Sequence, residues 1–268
     1  MKRIAFCLCL GVILFSISLY SEIISWSFGV VHCLGDSHCG NCFTNKKSWH
    51  EFVSQTPEVG INPYDPEFQY ERSVYLFFNN DQSMEVPFAI HWLGARTMHR
   101  IARDGINVSS YGVNAGDIAV FILGEIDVRV HIGKQVYLKN RDLDDVVQTL
   151  AETYVQRIAE NQMIHHCRCV ICAVTPPSGY SYNLEGNPEN IYLPRVPLEE
   201  RAIFTKLLNK KLSQECAKHH ILFLNAFEAF AKQDGSLNNA FSDGCHVTPE
   251  FNYMIKDQLI SLILSHNL

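Results

Sequence analysis

Five short apolar runs, separated by longer polar or amphipathic stretches, constrain the fold of this chain most strongly. The runs occupy residues 29–34, 88–93, 117–123, 168–174 and 220–224. A glycine directly follows each of the first three runs, and Thr-Pro-Pro follows the fourth; such residues commonly mark the turn after a strand. A continuous apolar run is typical of a strand that is buried on both faces. The alternation of such runs with helical segments predicts a parallel sheet with helices on both sides.

Three of the intervening segments carry helix signals. Residues 143–161 repeat apolar side chains at the spacing of one helical face. A second helix is expected to begin at Pro197, because proline suits the first turn of a helix. Thr248 followed by Pro249 predicts the N-cap and first position of a third helix.

Length and composition fit one large globular domain. The chain has 268 residues, of which 47% are hydrophobic, enough for a sizeable core. Its formal net charge of −6 gives no basis for nucleic-acid binding. We expect a single domain over residues 22–268, with long loops at 44–86 and 178–194. Such loops are often functional, and we expect an extra hairpin or a lid within 44–86.

Residues 1–21 have the pattern of a secretory signal peptide or a membrane anchor. Lys2 and Arg3 precede an apolar run over residues 4–20. A short basic region before such a run is typical of export, although the run is slightly short for a membrane span. A buried first strand or helix is the alternative. The segment predicts a secreted, periplasmic or membrane-anchored protein, associated with the membrane through these residues.

Cysteines and histidines cluster at one place that invites a metal interpretation. The stretch from His165 to Cys169 holds two histidines and two cysteines, and Cys172 follows. This stretch leads directly into an apolar run, and no second pair completes a tetrahedral set of ligands. We therefore predict no metal site and assign Cys167, Cys169 and Cys172 to the core. Spacing alone leaves the pairing of any disulfides open.

Three residues far apart in the sequence have the chemistry of a nucleophilic triad. Ser37 lies in a Gly-Asp-Ser-His turn, and His246 ends an Asp-Gly-Cys-His turn that begins at Asp243. A serine hydroxyl needs an adjacent base, and an imidazole base needs a carboxylate that fixes its tautomer. We predict that Ser37 is the nucleophile, His246 the general base and Asp243 the orienting carboxylate.

The order of these motifs resembles that of the SGNH hydrolases, also called GDSL-type esterases and lipases. Gly-Asp-Ser-His resembles the first block of that family, Gly94 matches its oxyanion glycine, and Asp243 to His246 match its last block. The resemblance covers most of the chain after residue 28. It implies a flavodoxin-like, three-layer α/β/α sandwich around five parallel strands. It also implies that the backbone N–H groups of Ser37 and Gly94 form an oxyanion hole.

The third block departs from the family pattern. Residues 124–127 read Gly-Glu-Ile-Asp, so Ile126 stands where the family has an asparagine that donates to the oxyanion. Loss of one donor typically costs about 100- to 1000-fold in turnover, so a replacement is expected. Either the hole runs on the backbone N–H groups of Ser37 and Gly94 alone, or a nearby cation substitutes, and we assign that role to Arg129. The alternative for Arg129 is an ion pair with Asp127 or Glu125. Further residues near the blocks are assigned to substrate binding: His38, Arg96, Glu125, Asp127 and His131.

These features predict a serine esterase that forms an acyl-enzyme on Ser37 and needs no metal or organic cofactor. The expected partner is a small-molecule or glycan ester, with a carbohydrate or cell-envelope ester favoured by the aromatic loop 178–194. Two alternatives stay open. An O-acyltransferase would use the same triad, and a non-catalytic binding domain would keep only the fold.

Overall fold

The computed structural model describes residues 29–43, 72–79, 85–94, 96–179, 196–251 and 253–266. The predicted signal segment 1–21 and most of both long loops lie outside these ranges. None of the described helices has the length and apolar character needed to cross a membrane.

The centre of the molecule is a six-stranded sheet in the order β2-β3-β1-β4-β5-β6. The strands are β1 (Val31–Gly35), β2 (Arg72–Asn79), β3 (Glu85–Trp92), β4 (Ile118–Ile122), β5 (Arg168–Cys172) and β6 (Leu222–Leu224). Five strands are parallel, which confirms the predicted fold class. The sixth, β2, pairs antiparallel with β3 at one edge. This strand accounts for the extra hairpin expected within residues 44–86.

Helices connect the parallel strands and cover both faces of the sheet. They are α1 (Ser37–Phe43), α2 (Met98–Asp104), α3 (Leu143–His165), α4 (Leu198–Lys218), α5 (Phe227–Phe230) and α6 (Tyr253–Ser265). Two π-helical segments, Asp127–Ile132 and Lys134–Leu138, follow β4. The predicted third helix is α6, but it begins later than expected. Pro249–Phe251 forms a 3₁₀ turn, because the N–H of Phe251 donates to the carbonyl of Thr248, only three residues back.

The apolar runs are buried on both faces because alternate residues of each strand point to opposite layers. In β4, Phe121 packs into the cluster that contains Tyr154 of α3 and the buried face of α4. Its neighbour Val120 packs on the other side, in the cluster formed with α1 and Leu259 of α6. Alternation of this kind explains why a strand between two helical layers reads as a continuous apolar run.

The cysteines within the described ranges are unpaired, and most are buried. Cys169 and Cys172 lie on β5, where the apolar run placed them, and Cys167 comes just before this strand. The Sγ atoms of Cys167 and Cys169 are 3.9 Å apart. Burial raises the pKa of Cys172 well above its usual range, so its thiol stays protonated inside the core.

Two histidines form an unusual polar pair inside the sheet. His32 of β1 and His91 of β3 stack with their ring centroids 5.2 Å apart, and His32 Nδ1 lies 2.9 Å from His91 Nε2. The other ring nitrogen of His32 lies 3.4 Å from a carboxylate oxygen of Asp117. Burial lowers the pKa of His32 and lowers that of His91 to about 3. Both rings are therefore neutral in the folded protein near neutral pH.

This pair is expected to make the fold sensitive to acid. Unfolded histidine binds its proton near pH 6.5, whereas folded His91 does so only near about 3. The unfolded chain binds more protons in this interval, so the free energy of unfolding falls as the pH drops below about 6.5. His91 alone contributes up to about 1.4 kcal/mol per pH unit. We expect His91→Leu to lose less stability than the wild type between about pH 7 and about pH 5, measured by urea unfolding.

The exposed His266 of the last helical turn provides a matched control. His266→Gln is expected to keep the acid dependence of the wild type. Equal acid dependence in His91→Leu and the wild type would contradict the assignment of this effect to the buried pair.

Candidate active site

The register of the central strands brings three loops to one level at the carboxyl edge of the sheet. Adjacent strands place in one row Gly35 of β1, Trp92 of β3 and Ile122 of β4. Two residues beyond this row come Ser37, Gly94 and Gly124, one on each loop. In open parallel sheets, ligand sites form at this edge. The three sequence blocks that were expected to meet therefore leave the sheet side by side.

A glycine at the end of β1 lets the nucleophile loop pass close to β4. A Cβ atom on Gly35 would lie 2.2 Å from the carbonyl oxygen of Ile122 and 2.6 Å from Cβ of Cys39. Real Cβ atoms do not approach backbone atoms so closely, so only glycine fits here. Helix α1 begins directly after this contact, with Ser37 as its first residue. The close approach therefore sets the position of the serine.

The structure brings together the three residues of the predicted triad. Ser37 Oγ lies 2.9 Å from His246 Nε2, which is hydrogen-bond distance. His246 Nδ1 lies 3.3 Å from Asp243 Oδ2. The other carboxylate oxygen of Asp243 accepts hydrogen bonds from the backbone N–H groups of Cys245 and His246, at 2.9 and 2.7 Å. The carboxylate is thus held by its own turn while it orients the imidazole.

The electrostatics of the triad suit proton transfer from the serine. Burial raises the pKa of Asp243, but hydrogen bonds from His246 and from the backbone outweigh it, and the pKa falls below its usual range. Burial, the largest single effect, and the neighbouring His38 lower the pKa of His246. Hydrogen bonds to Asp243 and Cys245 raise it, and the net result is a pKa above the ordinary value of histidine. His246 is therefore a stronger base than free imidazole.

A second histidine stands beside the base. His38 is buried, and its ring meets the ring of His246 edge to face at a centroid distance of 4.5 Å. One oxygen of Asp36 accepts from the backbone N–H of His38 at 2.9 Å and lies 3.2 Å from its Nδ1. Burial lowers the pKa of His38, but the Asp36 carboxylate opposes this, and the net pKa is raised. Asp36 thus braces both the turn and the ring of His38.

Two backbone N–H groups are available near the serine. Neither the N–H of Ser37 nor that of Gly94 makes a hydrogen bond to another described residue. Gly94 has a φ of 64°, in the left-handed region, and the space where a Cβ would stand is open. Ile126 is buried and offers no side-chain donor. The arrangement fits an oxyanion hole made of backbone groups.

Arg129 forms one of the two ion pairs that the sequence left open. Its guanidinium lies 3.0 Å from the carboxylate of Glu125, one helical turn earlier, and both side chains are more than nine-tenths buried. The sequence assigned Arg129 to the oxyanion hole and Glu125 to substrate binding. The structure instead engages the two side chains with each other.

Asp127 holds another element in place. Its two carboxylate oxygens accept hydrogen bonds from the backbone N–H groups of Met98 and His99, at 2.8 and 3.1 Å. These N–H groups belong to the first turn of α2, where they have no partner inside the helix. Asp127 is also fully buried. The Asp127 carboxylate is therefore engaged by the first turn of α2, and its contact with substrate stays a prediction.

The last two assigned residues have partners away from the triad. Arg96 donates a hydrogen bond to the hydroxyl of Tyr111 at 3.2 Å. His131 packs against His99, with ring centroids 5.3 Å apart. Both imidazoles line a cavity of about 210 Å³ between α2, the first π-helical segment and α3, and no triad residue lines it.

Arg201 is a buried cation that the sequence motifs did not reveal. Arg201 of α4 is buried and donates to the backbone carbonyl of Ser178 at 3.2 Å. Its charge interacts with Glu125, Arg129 and Cys245. An arginine in the first turns of an ordinary helix belongs to no sequence motif. The sequence therefore could not show that Arg201 is buried, and only the packing of α4 reveals it.

Comparison with known proteins supports the fold. No protein-family model matches the sequence, and no curated protein matches it. A solved structure of a candidate acylhydrolase from Bacteroides fragilis has a TM-score of 0.50 at 14% identity, over 93% of this chain and 94% of that one. At this identity the likeness shows a shared fold and nothing further.

Two further solved structures have slightly lower TM-scores. An acetylxylan esterase from Geobacillus stearothermophilus, solved as a catalytic mutant, matches at 0.49 and 12% identity, over 90% of this chain and 95% of that one. A GDSL-like lipase from Bacteroides thetaiotaomicron matches at 0.48 and 15% identity, over 89% and 88%. With scores below 0.5, these two carry no argument of their own.

The buried ion pair leads to a stability prediction. Arg129→Ala would leave the Glu125 carboxylate buried without its cation, so we expect the free energy of unfolding to fall by about 3–5 kcal/mol. Adding Glu125→Ala to the same chain is expected to recover part of this loss, because the unpaired charge is then removed. Urea unfolding of the two single variants and the double variant measures both effects.

A role of Arg129 at the oxyanion would give a different result. Turnover would then stay low in the double variant even where the free energy of unfolding recovers. That outcome would support the assignment of Arg129 to the oxyanion hole.

Proposed function

We propose that this protein is a serine hydrolase that cleaves carboxylic esters. The observation that carries the proposal is the chain of contacts from Ser37 Oγ to His246, at 2.9 Å, and from His246 to Asp243, at 3.3 Å. A serine next to a base, which is in turn oriented by a third group, is the arrangement that activates a hydroxyl as a nucleophile. The fold shared with a candidate acylhydrolase is consistent with this reading.

The reaction follows from the position of each group. Ser37 Oγ attacks the acyl carbon while His246 Nε2 takes the hydroxyl proton. The tetrahedral intermediate collapses, the C–O bond to the leaving alcohol breaks, and His246 gives that alcohol its proton. A water molecule, deprotonated by His246, then attacks the acyl carbon. The bond to Ser37 Oγ breaks, His246 returns the proton to Ser37, and the free acid leaves. Asp243 stabilises the imidazolium formed in each half of the reaction.

The oxyanion is stabilised by the backbone N–H groups of Ser37 and Gly94, which have no other partner among the described residues. Ile126 supplies no third donor from its side chain. We therefore propose a two-donor hole. Since each donor is typically worth about 100- to 1000-fold in turnover, we expect a lower turnover than a third donor would allow.

The nature of the substrate beyond the ester bond is also part of the proposal. We favour an acylated carbohydrate or cell-envelope component, because the basic and apolar N-terminus is typical of export and the loop 178–194 is rich in tyrosine. One of the matched solved structures is an acetylxylan esterase, although its TM-score lends no weight. A panel of acyl esters that includes acetylated sugars tests this choice.

Covalent labelling tests the nucleophile. A fluorophosphonate probe is expected to label the wild type at Ser37 and to leave Ser37→Ala unlabelled, because the probe reacts only with an activated serine. Ser265→Ala, which removes an exposed hydroxyl on α6, is the matched control and is expected to label normally. Mass spectrometry of the labelled peptide locates the adduct.

The same experiment separates the alternatives. Absence of labelling in the wild type, or equal labelling of Ser37→Ala, would point to a non-catalytic binding domain. Labelling with little release of free acid from an ester donor, together with transfer of the acyl group to a glycan hydroxyl once an acceptor is added, would point to an acyltransferase.

The pH dependence of the reaction tests the base. His246 must be neutral to accept the proton of Ser37, so kcat/KM is expected to fall at acid pH with a midpoint above the ordinary histidine value. Asp243→Asn removes the carboxylate that raises this pKa. We expect the midpoint to move to lower pH and the turnover to drop by as much as about 10⁴-fold. A midpoint unchanged by Asp243→Asn would argue against the proposed role of the carboxylate.

A further inference from the structure

We propose that His38, Cys245 and His246 form a binding site for a zinc-like transition-metal ion, and that a bound ion withdraws His246 from Ser37. The binding site stands on geometry alone, whereas its effect on catalysis rests on the function proposed above. This site could not be predicted from the sequence, because its three ligands come from opposite ends of the described chain.

The three side chains offer a set of donors that suits zinc. One ligand atom from each residue lies within 4.8 Å of the other two. Two imidazole nitrogens and one thiolate, with a fourth position open, match the three-ligand pattern of zinc sites that keep one position for a water or substrate. Tetrahedral bond lengths require donor separations of about 3.3–3.7 Å. Since the present separations are at most 4.8 Å, a closing movement on the order of 1 Å by the ligand side chains meets that requirement.

The contacts of His38 suit its side chain to binding a metal ion. Its Nδ1 faces Asp36, which leaves Nε2 as the atom offered to a ligand. Nε2 is buried and has no hydrogen-bond partner in the described part of the chain, and the residue is only 4% exposed. A carboxylate on the far nitrogen is the usual support of a metal-binding histidine. An unsatisfied buried nitrogen is otherwise a cost of about 1–3 kcal/mol.

His246 has the same arrangement, which links metal binding to the triad. Its Nδ1 faces Asp243, and its Nε2 faces Ser37 Oγ at 2.9 Å. A lone pair on Nε2 that is donated to a metal ion cannot also accept the proton of Ser37. Occupation of the site and activation of the serine therefore exclude each other. On binding, Cys245 loses its thiol proton to solvent, and no electron transfer is involved.

The surrounding charges favour a cation. Three carboxylates act on the ligands: Asp36 on His38, Asp243 on His246, and Glu125 on His38. Two guanidinium groups oppose them, Arg129 near His38 and Arg201 near Cys245. The described surroundings thus carry one more negative charge than positive, and the thiolate of Cys245 adds another. A divalent ion neutralises this excess.

Metal titration of the reduced full chain tests the site directly. Zn²⁺ is measured by equilibrium dialysis, and Co²⁺ serves as a spectroscopic probe, because a thiolate ligand gives cobalt an intense charge-transfer absorption. We expect Cys245→Ser and His38→Gln each to weaken binding by more than about 10-fold, since loss of even an outer-shell partner costs about 10- to 100-fold. The cobalt–thiolate absorption should vanish in Cys245→Ser.

Cys167→Ser is the matched control, because it also removes a thiol, one that lies 3.9 Å from Cys169 and is not among the three proposed ligands. It is expected to bind Zn²⁺ and Co²⁺ as the wild type does. Unchanged binding in Cys245→Ser, or loss of binding in Cys167→Ser alone, would overturn the proposed site.

The effect on the triad has its own readout. Zn²⁺ is expected to slow fluorophosphonate labelling of the wild type by at least about 10-fold and to slow Cys245→Ser much less, each compared with the same protein without metal. Tight binding without slower labelling would overturn the coupling to His246. If the wild type is not labelled even without metal, the proposed hydrolase fails, while the cobalt titration still decides whether the metal site exists.

Discussion

The common register of β1, β3 and β4 is the constraint on which the rest of this structure depends. It aligns the ends of three parallel strands, so that the loops carrying Ser37, Gly94 and Gly124 leave the sheet together. Gly35 makes this possible, because no larger residue fits between β1 and the carbonyl of Ile122. A slip of one residue would misalign the ends of these strands and turn side chains packed in one helical layer toward the other.

In the third block, residues 125–127 make structural contacts inside this chain. Ile126 contributes to the buried interior, Glu125 pairs with Arg129, and Asp127 satisfies the first turn of α2. All three lie at the start of a helical stretch with π-type turns, which are often found at functional sites. The side chains of Glu125 and Asp127 are therefore engaged within this segment and with α2, and the function proposed above assigns the oxyanion to backbone N–H groups.

Much of this architecture could be predicted from the sequence, because periodicity and turn residues are local signals. The five apolar runs correspond to the five parallel strands, and the triad residues were found from their turns and order. The antiparallel strand β2 was expected only as an unplaced hairpin. The ion pair of Arg129 with Glu125 was foreseen only as an alternative, although its spacing of four residues is local. The burial of Arg201 could not be predicted, since it depends on which helices pack together. Local patterns predict elements, whereas the burial of a single side chain is a property of the packed molecule.

The separation between the two halves of the triad has a consequence for how the molecule matures. Ser37 and His246 are 209 residues apart, and the turn that carries His246 comes just before the last described helix. Contacts between such distant parts of a chain form late, since a large loop must close first. During synthesis the ribosome would release the strands and the serine long before the base. Under the function proposed above, a nascent chain therefore has no activity until nearly all of the sheet has assembled.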